Sequence, residues 1–213
     1  LEVKDMTDQK RTIGDYTIIQ TIEIGDYEIA VGENLNAANK EETYLCGYIS
    51  NNGIFERLTD CMVSDSYADI LTVFGERVAE KAEEVQKQIE KEMDDIGGDL
   101  RVKASECEPI SESDDLESKV VVIDSHILRP EYKRASHQLM LCTGGFGSKP
   151  YARGRTCFCT RIYDDFATQW RRQDIVGTLP EDKLPDWAKE RLASVRERME
   201  AERTKRISER GDR

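Results

Sequence analysis

Six cationic side chains, Lys149, Arg153, Arg155, Arg161, Arg171 and Arg172, fall within 24 positions and alternate with Tyr151, Phe158, Tyr163 and Trp170. Cationic groups neutralise phosphates, and aromatic faces stack on unpaired bases. Those six residues together with Trp170 therefore form a candidate surface for nucleic acid, single strands above all. The competing account is that the arginines answer carboxylates of this chain or of a second copy, with Phe158 and Trp170 in the core. That neutralisation needs no outside ligand.

Other chemistry has weaker support. Gly144-Gly145-Phe146-Gly147-Ser148-Lys149 invites comparison with a phosphate-binding loop, but such a loop places Gly-Lys-Ser/Thr at the start of a helix and here Pro150 follows Lys149. Glycines that adopt positive φ in a connection between strands are the expectation. His137, Cys142, Cys157 and Cys159 are ligand types that zinc accepts. Cys157 and Cys159 would share one strand face, yet Cys-x-Cys fits small residues filling a sheet core equally well. Whether those four meet at a metal stays open. Cys142 or Ser125 could pair with His126 or His137 as a nucleophile and base, but no motif for nucleophilic catalysis surrounds them. The expectation is a protein without catalytic residues, metal or cofactor.

The elements that must position these groups follow from local pattern. Residues 16–31 carry Ile22, Ile24, Tyr27 and Ile29 around Gly25-Asp26, which predicts a hairpin with a type II′ turn, Ile24 opposite Tyr27 and Ile22 opposite Ile29. A third strand over 44–50 ends at Asn51-Asn52-Gly53. Ser64-Asp65-Ser66 can cap a helix start, and apolar positions from Tyr67 to Met93 recur every three or four residues. One long helix over 65–94 is expected, ending near Gly97-Gly98. Beyond Ala82 its stripe thins, so that end should project, into solvent or against a partner helix in a homodimer.

Later in the chain, Val120-Val-Val-Ile123 reads as a buried strand, followed by strands over 139–143, 156–163 and 169–176. Pro185 suits a first helical turn, with Ala188, Leu192, Val195 and Met199 on one face. The order is β-β-β-α and then β-β-β-β-α: an α+β fold of two antiparallel-sheet-plus-helix halves. By composition the chain divides into an acidic sheet and helix (1–98), an acidic linker (99–118), a basic sheet and helix (119–200) and a charged tail (201–213) that should fray. Whether the halves share one sheet is not decided by pattern.

A net charge of −12 hides a gradient. Residues 1–124 hold 30 acidic and 12 basic side chains, a balance of −18, whereas 125–213 hold 13 and 19, a balance of +6. The acidic half should repel nucleic acid and anionic membrane, and the basic half should attract them. No run approaches the ~18 apolar residues of a membrane span, and residues 1–11 are polar with no apolar targeting core. Six cysteines without CxxC spacing suggest reduced thiols. The expectation is a cytoplasmic protein without a membrane partner.

His137-Gln-Leu-Met-Leu-Cys-Thr-Gly-Gly-Phe-Gly, Ala152-Arg-Gly-Arg-Thr-Cys-Phe-Cys-Thr, Trp170-Arg-Arg-Gln-Asp and Leu184-Pro-Asp-Trp-Ala-Lys-Glu-Arg-Leu resemble an uncharacterised family of accessory proteins in conjugative and other mobile elements of Gram-positive bacteria. Ile24-Gly-Asp-Tyr-Glu and Phe74-Gly-Glu-Arg-Val-Ala-Glu extend the resemblance into the amino half. It implies a genetic setting; the family carries no established enzymatic activity, ligand or catalytic residue to transfer. The leading expectation is thus a non-enzymatic accessory binding protein of a mobile element that contacts nucleic acid through its basic carboxy-terminal hairpin. The rivals are an acidic DNA mimic of the antirestriction type, acting on a DNA-processing enzyme, and an uncharacterised hydrolase or metalloenzyme.

Overall fold

The computed structural model describes residues 11–51, 55–98 and 100–211. The chain divides into two compact units, Leu1–Gln88 and Ile89–Arg213. Each is built on a five-stranded antiparallel sheet with helix, so the fold class is α+β.

In the first unit, β1 (Thr12–Ile13), β2 (Tyr16–Ile24), β3 (Tyr27–Glu33), β4 (Tyr44–Asn51) and β5 (Glu56–Ser64) pair in chain order. The β2–β3 hairpin has the expected register, Ile22 opposite Ile29 and Ile24 opposite Tyr27. Gly25 at φ +54° supplies the positive angle that the turn requires. Asn52 and Gly53, the expected end of the third strand, lie outside the described residues. β1 and β5 raise the strand count from the three expected to five. β5 lacks a clean alternation because it bulges opposite Cys46 and Tyr48, with Asp60 at φ +49°.

The two sheet faces pack differently. Ile29, Val31 and Cys46 point towards helix α1 (Tyr67–Ile96) and meet Ile70 and Phe74. On the other face Ile13 packs with Ala30, Ile49, Ile18 and Leu58, and Arg11 hydrogen-bonds to Glu28 at 2.5 Å and Glu56 at 2.6 Å. These contacts draw β1 to β5, so the sheet curls on itself. Small residues permit the curl: a Cβ on Gly32 would stand 3.1 Å from that of Tyr16.

Helix α1 starts as expected, with Ser66 Oγ accepting from the Asp69 amide. It closes on Gly97 at φ +78°, where the Gly98 amide donates to Met93 O at 2.8 Å. That 6→1 bond is the Schellman stop. Its final turns do not project. Ile96 and Glu92, at 5 % and 3 % exposure, are buried as part of the second unit.

The second sheet contains β6 (Val120–Ile123), β7 (Leu139–Gly144), β8 (Thr156–Arg161), β9 (Ala167–Arg171) and β10 (Ile175–Thr178), in the order β10-β6-β7-β8-β9. Every residue of β6 is buried, which explains its unbroken β-branched run. Val120 and Val122 meet Ala188, Leu192 and Val195 of helix α3 (Asp186–Gly211), the face expected from the spacing. Val121 and Ile123 meet Leu116, Leu128, Met140 and Cys142 on the opposite face. Helix α2 (Ala135–Gln138) is a single buried turn leading into β7.

Three expected boundaries differ. The strand expected over 169–176 is two strands on opposite sheet edges, because Asp174 accepts the Arg171 amide at 3.0 Å and a 3-10 turn at Arg172–Asp174 redirects the chain. The segment expected as a linker over 99–118 packs, in its described residues 100–118, into the second unit: Leu116 is fully buried, Glu108 bridges to Thr178, and Gln138 bonds to both backbone groups of Val102. α3 continues through the charged stretch to Gly211, as Glu, Arg and Lys are good helix formers. Pro185 precedes α3, and its carbonyl accepts the first helical bonds, from Ala188 and Lys189.

Candidate nucleic-acid interface

The structure separates the seven sequence-predicted site residues into two sets. Lys149, Arg161 and Arg172 are committed within the second unit. The Lys149 ammonium pairs with Glu117 and with Asp115 at 3.3 Å, and these hydrogen bonds hold its pKa above the ordinary lysine value. Arg172 donates to three carbonyls, of Gly147 and Ser111 at 2.7 Å and of Asp114 at 2.9 Å, tying the acidic segment to the sheet. Arg161 grips Asp164 with two bonds of 2.6 and 2.5 Å, donates to His137 Nδ1 at 2.6 Å, and lies over the Phe166 ring. Trp170 is half-buried, opposite Cys157 in register, and packs against the core cluster that contains Cys142, Cys157 and Cys159. Its ring is therefore largely occupied by packing.

Arg153, Arg155 and Arg171 form the other set. All three are exposed, and none makes an ion pair among the described residues. Backbone geometry brings Arg155 and Arg171 to the same end of the β8–β9 pair, with Arg153 two residues before Arg155 in the chain. The Arg172 amide donates to Arg155 O at 2.7 Å, and Thr156 is opposite Arg171 in the β8–β9 register. On the face that presents Arg171, the neighbouring strand position is Phe158, opposite Gln169 and 45 % exposed.

The glycine-rich loop brings further aromatic surface to this edge. A Cβ on Gly145 would stand 2.5 Å from Thr156 O, and one on Gly147 would stand 2.4 Å from Arg155 O. The loop backbone therefore lies directly on the backbone that enters β8, an approach only glycine permits. Gly144 and Gly145 also have the expected positive φ, +139° and +101°. Phe146 packs over Gly154, between Arg153 and Arg155 in sequence, while remaining 81 % exposed. Tyr151 is 75 % exposed. Phe146 is the exposed residue of this candidate surface that composition alone missed. A bulky aromatic side chain flanked by glycines, with no apolar period to bury it, is the signal that would have found it.

The remaining chemistry separates by location. His137 sits on α2, stacked on Tyr132 with ring centroids 4.3 Å apart, and its Nε2 faces both oxygens of buried Glu92 at 3.2–3.3 Å. It does not join the cysteines. Cys142 and Cys159 are register partners; the Cys142 thiol donates to Gly144 O and the Cys159 thiol to Cys157 O, both at 3.9 Å. Interaction with its two neighbouring thiols pulls Cys142 down, and interaction with Cys142 together with burial pushes Cys157 and Cys159 up. Among the described residues no group of His, Cys, Asp and Glu is arranged to hold a metal ion. His126 bonds to Asp124 at 2.8 Å but is fully exposed, with no nucleophile bonded to it among the described residues.

Arg153, Arg155 and Arg171, exposed where the chain enters β8 and leaves β9, together with exposed Phe146, Tyr151 and Phe158 of the same stretch, are thus the candidate cationic and aromatic edge of the second sheet. Compared with protein-family models, curated proteins and solved structures, the chain finds no match.

Proposed function

We propose that the protein is a non-enzymatic accessory binding protein of a mobile element, and that its second unit binds single-stranded nucleic acid. Arg153, Arg155 and Arg171 contact phosphates, while Phe146, Tyr151 and Phe158 offer faces to unpaired bases. One observation carries the proposal: half of the basic cluster is spent on internal partners, whereas these three guanidinium groups stand exposed beside exposed rings. A duplex hides its base faces, so this pairing of groups favours single strands. All six cysteines are free, which supports a reducing, cytoplasmic compartment. No helix of the described residues is long and apolar enough to cross a membrane.

The test is fluorescence anisotropy with a labelled oligothymidine of ~20 nucleotides, long enough for a site of this type. Three phosphate contacts give a slope of about −2 in log K against log salt, so affinity should fall roughly 20-fold between ~50 and ~200 mM. Replacing Arg153, Arg155 and Arg171 together by Ala should abolish that dependence. Lys149→Ala should leave affinity within about twofold, because its charge is already answered by Asp115 and Glu117. Absence of salt-dependent binding at ~50 mM overturns the proposal.

A further inference from the structure

The second unit also contains a pocket of about 510 Å³, lined by segment 100–106, Ala135 and the connection from β10 into α3. Its volume falls within the few-hundred to ~1,000 Å³ range of small-molecule sites. The floor is apolar: Ala135, Leu179 and Leu184 are all 5 % exposed or less. Leu100 stands at the wall with 44 % of its surface in solvent, apolar area that nothing in the second unit covers.

The walls are fixed before any ligand arrives. Leu100 O accepts the Ala135 amide at 2.6 Å. Gln138, 1 % exposed, uses its side-chain amide as a strand partner would, accepting from Val102 N and donating to Val102 O, both at 3.0 Å. Opposite, the Leu179 amide donates to Val120 O at 3.0 Å, and the 3-10 turn Glu181–Lys183 closes with the Leu184 amide on Glu181 O. Preorganised walls of this kind reduce the ordering cost of binding.

Charge at the rim selects the ligand. Arg101 and Lys183 contribute positive charge to the lining, and Glu106 is the single carboxylate. The Lys103 amide holds the Glu106 carboxylate in place, donating to its Oε2 at 2.6 Å, and that carboxylate offsets one of the two cations, leaving the lining with a single net positive charge. Lys183 forms no ion pair among the described residues. An apolar floor beneath a cationic rim fits a molecule with an alkyl body and one anionic head.

We infer that this pocket binds a small amphipathic anion of the alkyl-carboxylate class, with its chain on Leu100, Leu179 and Leu184 and its carboxylate at Lys183. The site is independent of the oligonucleotide edge, so the variant lacking Arg153, Arg155 and Arg171 should bind the anion as the native chain does.

The test is isothermal titration of the full chain with hexanoate, octanoate and decanoate, each below its micelle concentration, with decanol as the uncharged comparison. Affinity should rise about fourfold per added methylene until the pocket is filled. Decanol should bind at least several-fold more weakly than decanoate, and Lys183→Glu should remove that preference. Leu100→Asp should abolish binding; Leu100 and Lys183 are both exposed, and unchanged circular dichroism melts would confirm that the variants fold. If Leu100→Asp does not fold, Ser105→Trp, which fills the mouth from an exposed position, replaces it and should also abolish binding. No saturable decanoate binding, no dependence on chain length, or retained binding in the folded pocket variants each overturns the inference.

Discussion

Arg161 donates a hydrogen bond to Nδ1 of His137 at 2.6 Å, and this fixes the imidazole. A guanidinium has no lone pair to accept with, so Nδ1 must be the acceptor and Nε2 must carry the proton. Nε2 then donates towards Glu92, which also receives the Ser136 hydroxyl at 3.1 Å. Glu92, Ser136 and His137 are all at most 4 % exposed. Nitrogen-15 NMR should therefore find His137 as the Nε2–H tautomer at neutral pH. Glu92→Ala leaves two buried donors without their acceptor and should cost roughly 1–3 kcal/mol in urea denaturation, with Glu92→Gln costing less. A Nδ1–H tautomer, or an alanine variant of native stability, would contradict the network.

The other end of the same chain of bonds is sensitive to acid. Burial alone would raise the Asp164 carboxyl, but the two bonds and the charge of Arg161, with the Phe166 amide, hold it below its ordinary value of 3.8. A carboxyl depressed by folding stabilises the native state fully above its unfolded value, and that contribution is lost as pH falls through the lower folded value. Asp114, Asp115, Asp124 and Glu181 shift in the same direction. The urea midpoint of the second unit should therefore hold steady at mildly acid pH and fall below about pH 4. Asp164→Asn should start lower and lose less on acidification. An acid decline equal to that of the native chain would mean that the Arg161 pair does not survive in solution.

How far the sequence foretold this arrangement depends on the range of the interactions. The β2–β3 hairpin, the buried run of β6 and the Ala188, Leu192 and Val195 face of α3 were legible because turn chemistry and periodicity are local. α1 shows where that logic stops. Its buried stripe continues past Phe74 through Arg77, Val85, Glu92 and Ile96, so two charged residues occupy inward positions. Arg77 reaches Cys46 O at 3.3 Å and Asp60 at 3.4 Å, and Glu92 reaches Ser136 and His137, partners no periodicity count can supply. The basic cluster was visible as composition. Its division into answered and unanswered cations was not, because both partners of Lys149 and two of the three partners of Arg172 lie over 30 positions away in a segment whose composition resembles a linker.

Gly147 links stability to the proposed interface. A Cβ there would meet the Arg155 carbonyl, its oxygen at 2.4 Å and its carbon at 2.5 Å, and the Thr156 nitrogen at 2.9 Å. These are backbone atoms that lead into β8, so neither side can yield by a rotamer change. Gly147→Ala should cost roughly 1–3 kcal/mol, the range for overpacking, and should displace Arg155 relative to Arg171. Gly144→Ala separates the two effects. Gly144 needs its φ of +139° but has open space around its Cβ position, so alanine there strains the loop without pressing on Arg155. Urea denaturation should find both variants less stable, whereas oligothymidine affinity, measured where both are fully folded, should fall several-fold only for Gly147→Ala. Equal affinities would show that the position of Arg155 does not govern binding, and would shift the phosphate contacts to Arg153 and Arg171 alone.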